Sequence, residues 1–200
     1  MNRSAKACMD LADRGQVAQL IEECNNGDRK SQQILYQAFY GKMLVVCMRY
    51  ANDRDEAKDI LHDGFIKVFN KLVSFKNEGS LEGWIRRIMV NNSIDHVRRK
   101  REIFYSTADD YTLEKALLEA DKEDTELFLK AKAEIILNLI QKLSPAYKTV
   151  FNMYVIENYT HKEIAEKLGI NIGTSKSNLA KAKMKLREYY NEYIDKHEQQ

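Results

Sequence analysis

Tyr159-Thr160-His161-Lys162-Glu163-Ile164-Ala165-Glu166-Lys167-Leu168-Gly169-Ile170, followed by Gly173-Thr174-Ser175-Lys176-Ser177, decides the fold of the C-terminal half. The stretch reads as a helix, a tight turn and a second helix. Thr160 is placed to cap the first helix, and Glu163, three residues on, completes a capping box. Ile164, Ala165 and Leu168 fall on one face, where the small Ala165 admits close approach of the second helix. Gly169 suits the left-handed residue that ends the first helix. From Thr174 onward come Lys176, Lys181, Lys183, Lys185 and Arg187, with no acid until Glu188, while Leu179 and Leu186 supply the buried seam. A cationic helix braced by a neighbour is the device that enters the major groove of DNA. A plain helical hairpin with soluble lysines would explain the charge alone. It would not explain cap, turn, small-residue contact and acid-free helix occurring together.

The rest of the chain supports a nucleic-acid partner through charge placement. Its 200 residues suit one large or two small domains, since ~100–150 residues is the common domain size. Net charge is only +2, but it is unevenly spread. Arg86, Arg87, Arg98, Arg99, Lys100 and Arg101 face Asp95 alone, whereas the segment from Glu102 to Glu134 carries ten acids against four lysines. Two basic patches separated by an acidic stretch suggest two contacts on one ligand, joined by a segment that avoids DNA. Cys8, Cys24 and Cys47 are odd in number and widely spaced, so they read as reduced thiols. The histidines are scattered, and no activated nucleophile, metal-ligand cluster or phosphate loop is legible. Hence no catalysis, cofactor, metal site or small-molecule substrate is expected. No apolar run approaches the ~18 residues of a membrane span, and the first residues lack the apolar core of a signal peptide. A cytoplasmic location is expected.

A single proline, Pro145, and few glycines imply long helices, and β-branched residues fall at helical spacing. Residues 1–15 read as a polar tail. Helices are expected from Val17 to Asn25, from Ser31 to Tyr50 and from about Glu56 to Leu72. The second has a wide apolar stripe that includes Ile34, Leu35, Ala38, Phe39, Leu44, Val45 and Met48. Asp53 or Asp55 caps the third. After a turn at Phe75–Gly79, Ser80 caps a helix that runs through Trp84, Ile85, Ile88, Met89, Ile94 and Val97 into the basic cluster. Glu126–Leu143 is expected to be helical, Ser144-Pro145 to restart a helix as cap and first-turn proline, and Asn158 to stop it.

In that order, the motifs resemble those of the extracytoplasmic-function sigma factors, small bacterial subunits that give RNA polymerase its promoter choice. The resemblance rests on Glu56-Ala57-Lys58-Asp59-Ile60-Leu61-His62-Asp63-Gly64-Phe65-Ile66-Lys67-Val68-Phe69, on Leu81-Glu82-Gly83-Trp84-Ile85-Arg86-Arg87-Ile88, on Asn91 with Ile94–Arg99, and on Leu143-Ser144-Pro145 with the Tyr159–Arg187 block. It implies an all-α fold of two small helical domains: a sigma region 2 bundle over 16–101, an acidic linker over 102–125, and a sigma region 4 helix-turn-helix over 126–192. It further implies core RNA polymerase (its beta-prime and beta subunits), promoter DNA and an anti-sigma factor as partners.

Site residues follow from the same resemblance. Asp59, His62, Asp63 and Lys67 belong to the helix that the family docks on a coiled coil of the beta-prime subunit. Asp59 and Asp63, four apart, share a helix face on spacing alone. His62, Asp63 and Gly64 stand where the family usually has Gln, Glu and Ala, and Gly64 should cost ~1 kcal/mol of helix propensity. Trp84, Arg87, Asn91, Asn92, Arg98, Arg99, Lys100 and Arg101 form the segment that meets the downstream (minus 10) element. Asn91 matches the asparagine that serves a flipped base, and its amide both donates and accepts. Trp84 reads first as a core residue and second as a stacking platform, and Asn92 with Ser93 as the start of the specificity loop. The four terminal cations suit phosphate contact. In the second domain Thr174, Lys176, Ser177, Asn178 and Lys181 face the upstream (minus 35) element, and Lys183 a phosphate. Lys176 and Lys181 replace common arginines by point charges. Ser175 replaces a packing Val, so its hydroxyl needs a partner if buried. On residues alone a stand-alone helix-turn-helix regulator and a helical adaptor without DNA affinity stay open beside the sigma reading.

Overall fold

The computed structural model describes residues 13–76, 78–104 and 133–197, apart from the side chains of residues 14, 101–104, 133 and 134. The fold is all-α. Four helices make the first group: α1 (Arg14–Asn25), α2 (Arg29–Met48), α3 (Arg54–Lys71) and α4 (Leu81–Phe104), with a 3₁₀ turn at Leu72–Ser74. The second group holds α5 (Ala133–Gln141), α6 (Pro145–Phe151), α7 (His161–Leu168) and α8 (Ile172–His197). The acidic linker beyond residue 104, the helix start between 126 and 132 and the tail before residue 13 lie outside the described residues.

Short polar side chains set the helix starts. Asp13 accepts from the Gly15 and Gln16 amides, so α1 begins three residues before the apolar pattern does. Asp28 accepts from the Ser31 amide and opens α2 at Arg29. Of the two candidates for capping α3, Asp53 does so, taking the Glu56 amide at 2.8 Å. Ser80 Oγ accepts from the Gly83 amide at 3.3 Å. Ser144 departs from expectation: it stands at the N-cap position of α6 but its side chain makes no capping bond, leaving Pro145 to start the helix by its fixed φ.

The first core is built by α2 (Leu35, Phe39, Met43, Cys47), α3 (Ile60, Leu61, Phe65, Val68) and α4 (Ile85, Met89, Ile94), all nearly or fully buried. Ile34 and Val45, counted in the expected α2 stripe, remain 44% and 48% exposed, because α2 is covered on part of its circumference only. Gly64 lies where α3 crosses α4. A Cβ there would collide with the Met89 sulfur and stand 3.1 Å from Met89 Cε, so the missing methyl is what lets the helices meet. The second core joins Leu139, Ile140, Leu143, Val150, Phe151 and Met153 to Ile164, Leu168, Leu179, Ala182 and Leu186.

The two groups also pack on each other, along a polar seam at the C-terminal end of α2. A helix leaves its last carbonyls without partners of its own. Here the second group supplies donors: Gln141 Nε2 to Met48 O, Asn152 Nδ2 to Arg49 O at 2.6 Å, and Lys148 Nζ to Ala51 O at 2.7 Å. Beside them Glu157 forks onto Arg86 at 2.7 and 2.9 Å and lies 3.4 Å from Arg49. Burial pulls the pKa of both Lys148 and Arg49 below the ordinary range.

Candidate polymerase and nucleic-acid interface

On α3 the core takes Ile60, Leu61, Phe65 and Val68, which turns Asp59, His62 and Asp63 to solvent. Ile66, 59% exposed, lies within the same outward ridge. The ridge is therefore acidic with one exposed apolar residue. His62 stacks on Tyr36 at 6.3 Å, and Tyr36 in turn sits 4.5 Å from Phe65, so the imidazole is positioned from the core outward. Lys67 is half-buried and lies 3.9 Å from Asp95 of α4. It bridges the acidic ridge to the basic one.

α4 is one unbroken helix through the segment assigned to DNA, and this corrects part of the sequence reading. Asn92 and Ser93 open no loop. Asn92 is 2% exposed and donates to Ile60 O at 2.7 Å, while Ser93 is fully buried and donates to Met89 O at 2.8 Å. Both hold α4 in place, and burial keeps the Asn92 amide, whose Oδ1 has no hydrogen-bond partner, away from any base at the surface. Asn91, one position round the helix, is half-buried and turned toward the second group. Its Oδ1 lies 3.4 Å from both the Tyr159 hydroxyl and the Lys167 ammonium. Trp84 is half-buried against Phe75 at 5.4 Å. Arg87 is exposed.

The terminal cations are not equivalent. Arg98 and Arg99 are exposed on the side of Asp95. With Asp63, Ile66, Lys67 and Asp95 they line an open cavity of about 420 Å³. Lys100 is taken by Glu56, at 2.7 Å, where the His96 imidazole also arrives at 2.9 Å and the Asn52 amide at 2.8 Å. Burial alone would raise the Glu56 pKa, but these bonds more than offset it and bring it down to about 2. Arg101 belongs to α4, with its side chain outside the described residues.

In the second group the expected geometry is present in detail. Thr160 Oγ1 accepts from the Glu163 amide at 3.3 Å, and Glu163 Oε2 accepts from the Thr160 amide at 2.8 Å. Gly169 ends α7 at φ 65°, in the left-handed region. Asn171 Oδ1 takes the Thr174 amide at 2.6 Å and so opens α8. Ser175 is fully buried, and the partner its hydroxyl needs is His161 Nδ1 of α7, 2.9 Å away. A polar contact thus stands where the family often packs a Val, and it joins the two helices. Lys176 is exposed, and Thr174, Ser177, Lys181 and Lys183 are half-buried. Asn178, expected to read bases, instead turns inward and is only 9% exposed. The outward face is Lys176, Ser177, Lys181 and the 46% exposed Met184.

Sequence reasoning missed Arg49, Lys148, Asn152 and Glu157, and placed Arg86 in a basic patch without its pairing to Glu157. Their partners are 71 to 108 residues distant in the chain, from Arg86–Glu157 to Arg49–Glu157, beyond the reach of any local periodicity.

Two family profiles match the chain in the order of these two groups: Sigma-70 region 2 over residues 35–103 and Sigma-70, region 4 over residues 133–186. The ECF RNA polymerase sigma-E factor of Haemophilus influenzae is 24% identical over 170 residues, covering 82% of this chain and 89% of that one. The ECF RNA polymerase sigma factor SigW of Bacillus subtilis is 26% identical over 179 residues, covering 86% and 95%. Among solved structures, the sigma factor RpoE of Bartonella quintana in complex with the anti-sigma factor NepR has a TM-score of 0.44 at 18% identity, covering 80% of this chain and 96% of that one.

Proposed function

The chain belongs to the extracytoplasmic-function branch of the sigma-70 family, and from that premise we propose which of its residues direct RNA polymerase to promoters. Its function is that of a sigma factor: it joins core polymerase and directs promoter-specific initiation. Such a subunit works by recognition, and the chemistry of bond making stays with the polymerase. Residues 16–101 serve core binding and the downstream element, residues 102–125 connect, and residues 126–192 serve the upstream element. The exposed α3 ridge of Asp59, His62 and Asp63, with Ile66, is the core-binding surface. Asn91 reads a base, supported by Arg87, Arg98 and Arg99 on the phosphates. Lys176, Ser177 and Lys181 enter the major groove, while Asn92 and Asn178 hold the helices that carry the readers. An anti-sigma factor is the further partner this membership implies.

The observation that carries this reading is the outward cationic face at the start of α8, braced from behind by the His161–Ser175 contact. Run-off transcription with core polymerase on a randomised promoter library tests it. Defined start sites are expected with the wild-type chain, and none with Asp59→Lys, which should also fail to co-purify with core enzyme while keeping its helical circular dichroism. Retention on core enzyme by Asp59→Lys would remove the ridge from the interface. A gel shift without polymerase that already shows sequence-specific binding would favour a stand-alone regulator instead.

A further inference from the structure

Lys67 does not face outward with the rest of the α3 ridge. Asp59, His62, Asp63 and Ile66 are exposed, whereas Lys67 is half-buried and turned to α4, its Nζ 3.9 Å from Asp95 Oδ2. The other carboxylate oxygen of Asp95 lies 3.5 Å from Arg98 Nη2, and the Asp95 main-chain carbonyl accepts from Arg99 Nε at 3.4 Å. One aspartate therefore gathers all three cations that line the cavity between α3 and α4. Both carboxylate distances exceed the ~2.7–2.9 Å of a charge-assisted hydrogen bond. The cations are held near Asp95 without being consumed by it, and Arg98 and Arg99 stay exposed.

A phosphate met by Arg98 and Arg99 also meets the field of Asp95. That carboxylate repels the phosphate and competes with it for Arg98. Lys67 is the charge that cancels Asp95, and it leaves the two arginines as surplus. We propose that Lys67 is neither a polymerase contact nor a phosphate contact but the counter-ion of Asp95, and that the Lys67–Asp95 pair is a positioning device which aims Arg98 and Arg99 at the backbone of promoter DNA. The inference rests on the phosphate role of Arg98 and Arg99 given above. It explains why a lysine of the core-binding helix leaves the ridge: its ammonium is needed at α4, where without it Asp95 would neutralise one of the two arginines. Asp95 in turn keeps Arg98 on the same side of α4 as Arg99, because both are tethered to one residue, by its side chain and by its main chain.

The test uses holoenzyme assembled from core polymerase and the full chain. Its ligand is a fluorescein-labelled promoter fragment selected by the wild type, and binding is read by anisotropy across a salt series. Lys67→Met should weaken binding by about fivefold. Its slope of log affinity against log salt should stay as in wild type, because no phosphate contact is lost. It should co-purify with core enzyme as wild type does, and Lys67→Arg, which keeps the charge, should bind as wild type. In an Asp95→Asn background the same Lys67→Met change should cost less than about twofold, since no carboxylate remains to offset. Lys71→Met, which removes a lysine from an exposed position one turn along α3, should change affinity by less than about twofold in either background. Arg98→Gln marks a true phosphate contact, with a slope shallower by about 0.9. Lys67→Gln replaces the methionine variant if that one does not fold. Wild-type affinity in Lys67→Met overturns the proposal. A slope shallower by about 0.9 in Lys67→Met, or a loss that persists in Asp95→Asn, makes Lys67 a phosphate contact and overturns it too. Release from core enzyme makes Lys67 a polymerase contact, with the same consequence. A wild-type chain that selects no promoter refutes the sigma reading on which the proposal rests.

Discussion

At the scale of single residues, departures from the family pattern are answered by packing. Gly64 shows how opposing effects are decided. Alanine there would gain about 1 kcal/mol of helix propensity, but overpacking costs about 1–3 kcal/mol, and the obstructing Met89 is fully buried with no open side to swing toward. Gly64→Ala should therefore lower stability by about 1 kcal/mol net, measured by urea unfolding. In a Met89→Ala background the same change should be neutral or favourable, a coupling that a double-mutant cycle reads directly. Glu56 is decided by charge. Its folded-state pKa of about 2 lies below the ordinary 4.5, so the unfolded chain binds the proton more readily. The stabilisation is complete above the ordinary value and is lost as pH falls through about 2. Glu56→Gln should cost about 1–3 kcal/mol at neutral pH. Its deficit relative to wild type should shrink between pH 4.5 and 2 in acid-unfolding curves. A deficit constant across that range would mean that Lys100 and His96 contribute nothing through charge.

At the scale of helices, the sequence was most readable where the signals are local. The capping box, the Gly169 turn and the Leu179–Leu186 seam all lie within one or two turns of their partners, and all are present in the fold. It was least readable where a polar residue chooses between core and groove. Asn91 and Asn92 are neighbours of one type, yet α4 aims one at the seam and the other at Ile60 O, and only the packing of α3 settles which. The same choice sends Lys176 out and Asn178 in, since the latter sits on the stripe with Leu179 and Ala182. Two substitutions on α8 should therefore behave in opposite ways. Lys176→Ala should weaken binding to an upstream element selected by the wild type by about 1 kcal/mol, the low end for a base contact because Lys is a point charge, with no change in Tm. Asn178→Ala should cost about 1 kcal/mol of stability and leave the preferred upstream sequence as it was. A footprint or reporter series with parallel thermal melts checks both, and a shifted sequence preference in Asn178→Ala would return that residue to the groove.

At the scale of the whole molecule, composition and charge blocks made two basic patches legible but not the seam between the helical groups, because Arg86–Glu157 and Lys148–Ala51 join residues that no local pattern relates. The same long-range contacts make the balance of open and closed forms depend on pH, in a direction that the ion pair would not suggest. Lys148 is enclosed when the groups meet, and burial depresses its pKa below the ordinary 10.5, with Glu56 opposing that shift from a distance. The closed form then binds this proton less readily than the open one, in which the ammonium is hydrated. Linkage requires that closure be weakest where Lys148 is fully protonated in both forms. It should strengthen as pH rises through the depressed value toward the ordinary one, where the neutral amine still donates to Ala51 O at 2.7 Å. Tyr159, whose own pKa burial pushes up, stays neutral over most of that range and does not cancel the effect. Raising the pH from neutral toward 10 should thus reduce the radius of gyration of the wild-type chain. Lys148→Met, with a similar stem and no proton to lose, should show no such trend. A contraction of equal size in Lys148→Met would assign the pH response to other groups and leave Lys148 a packing residue only.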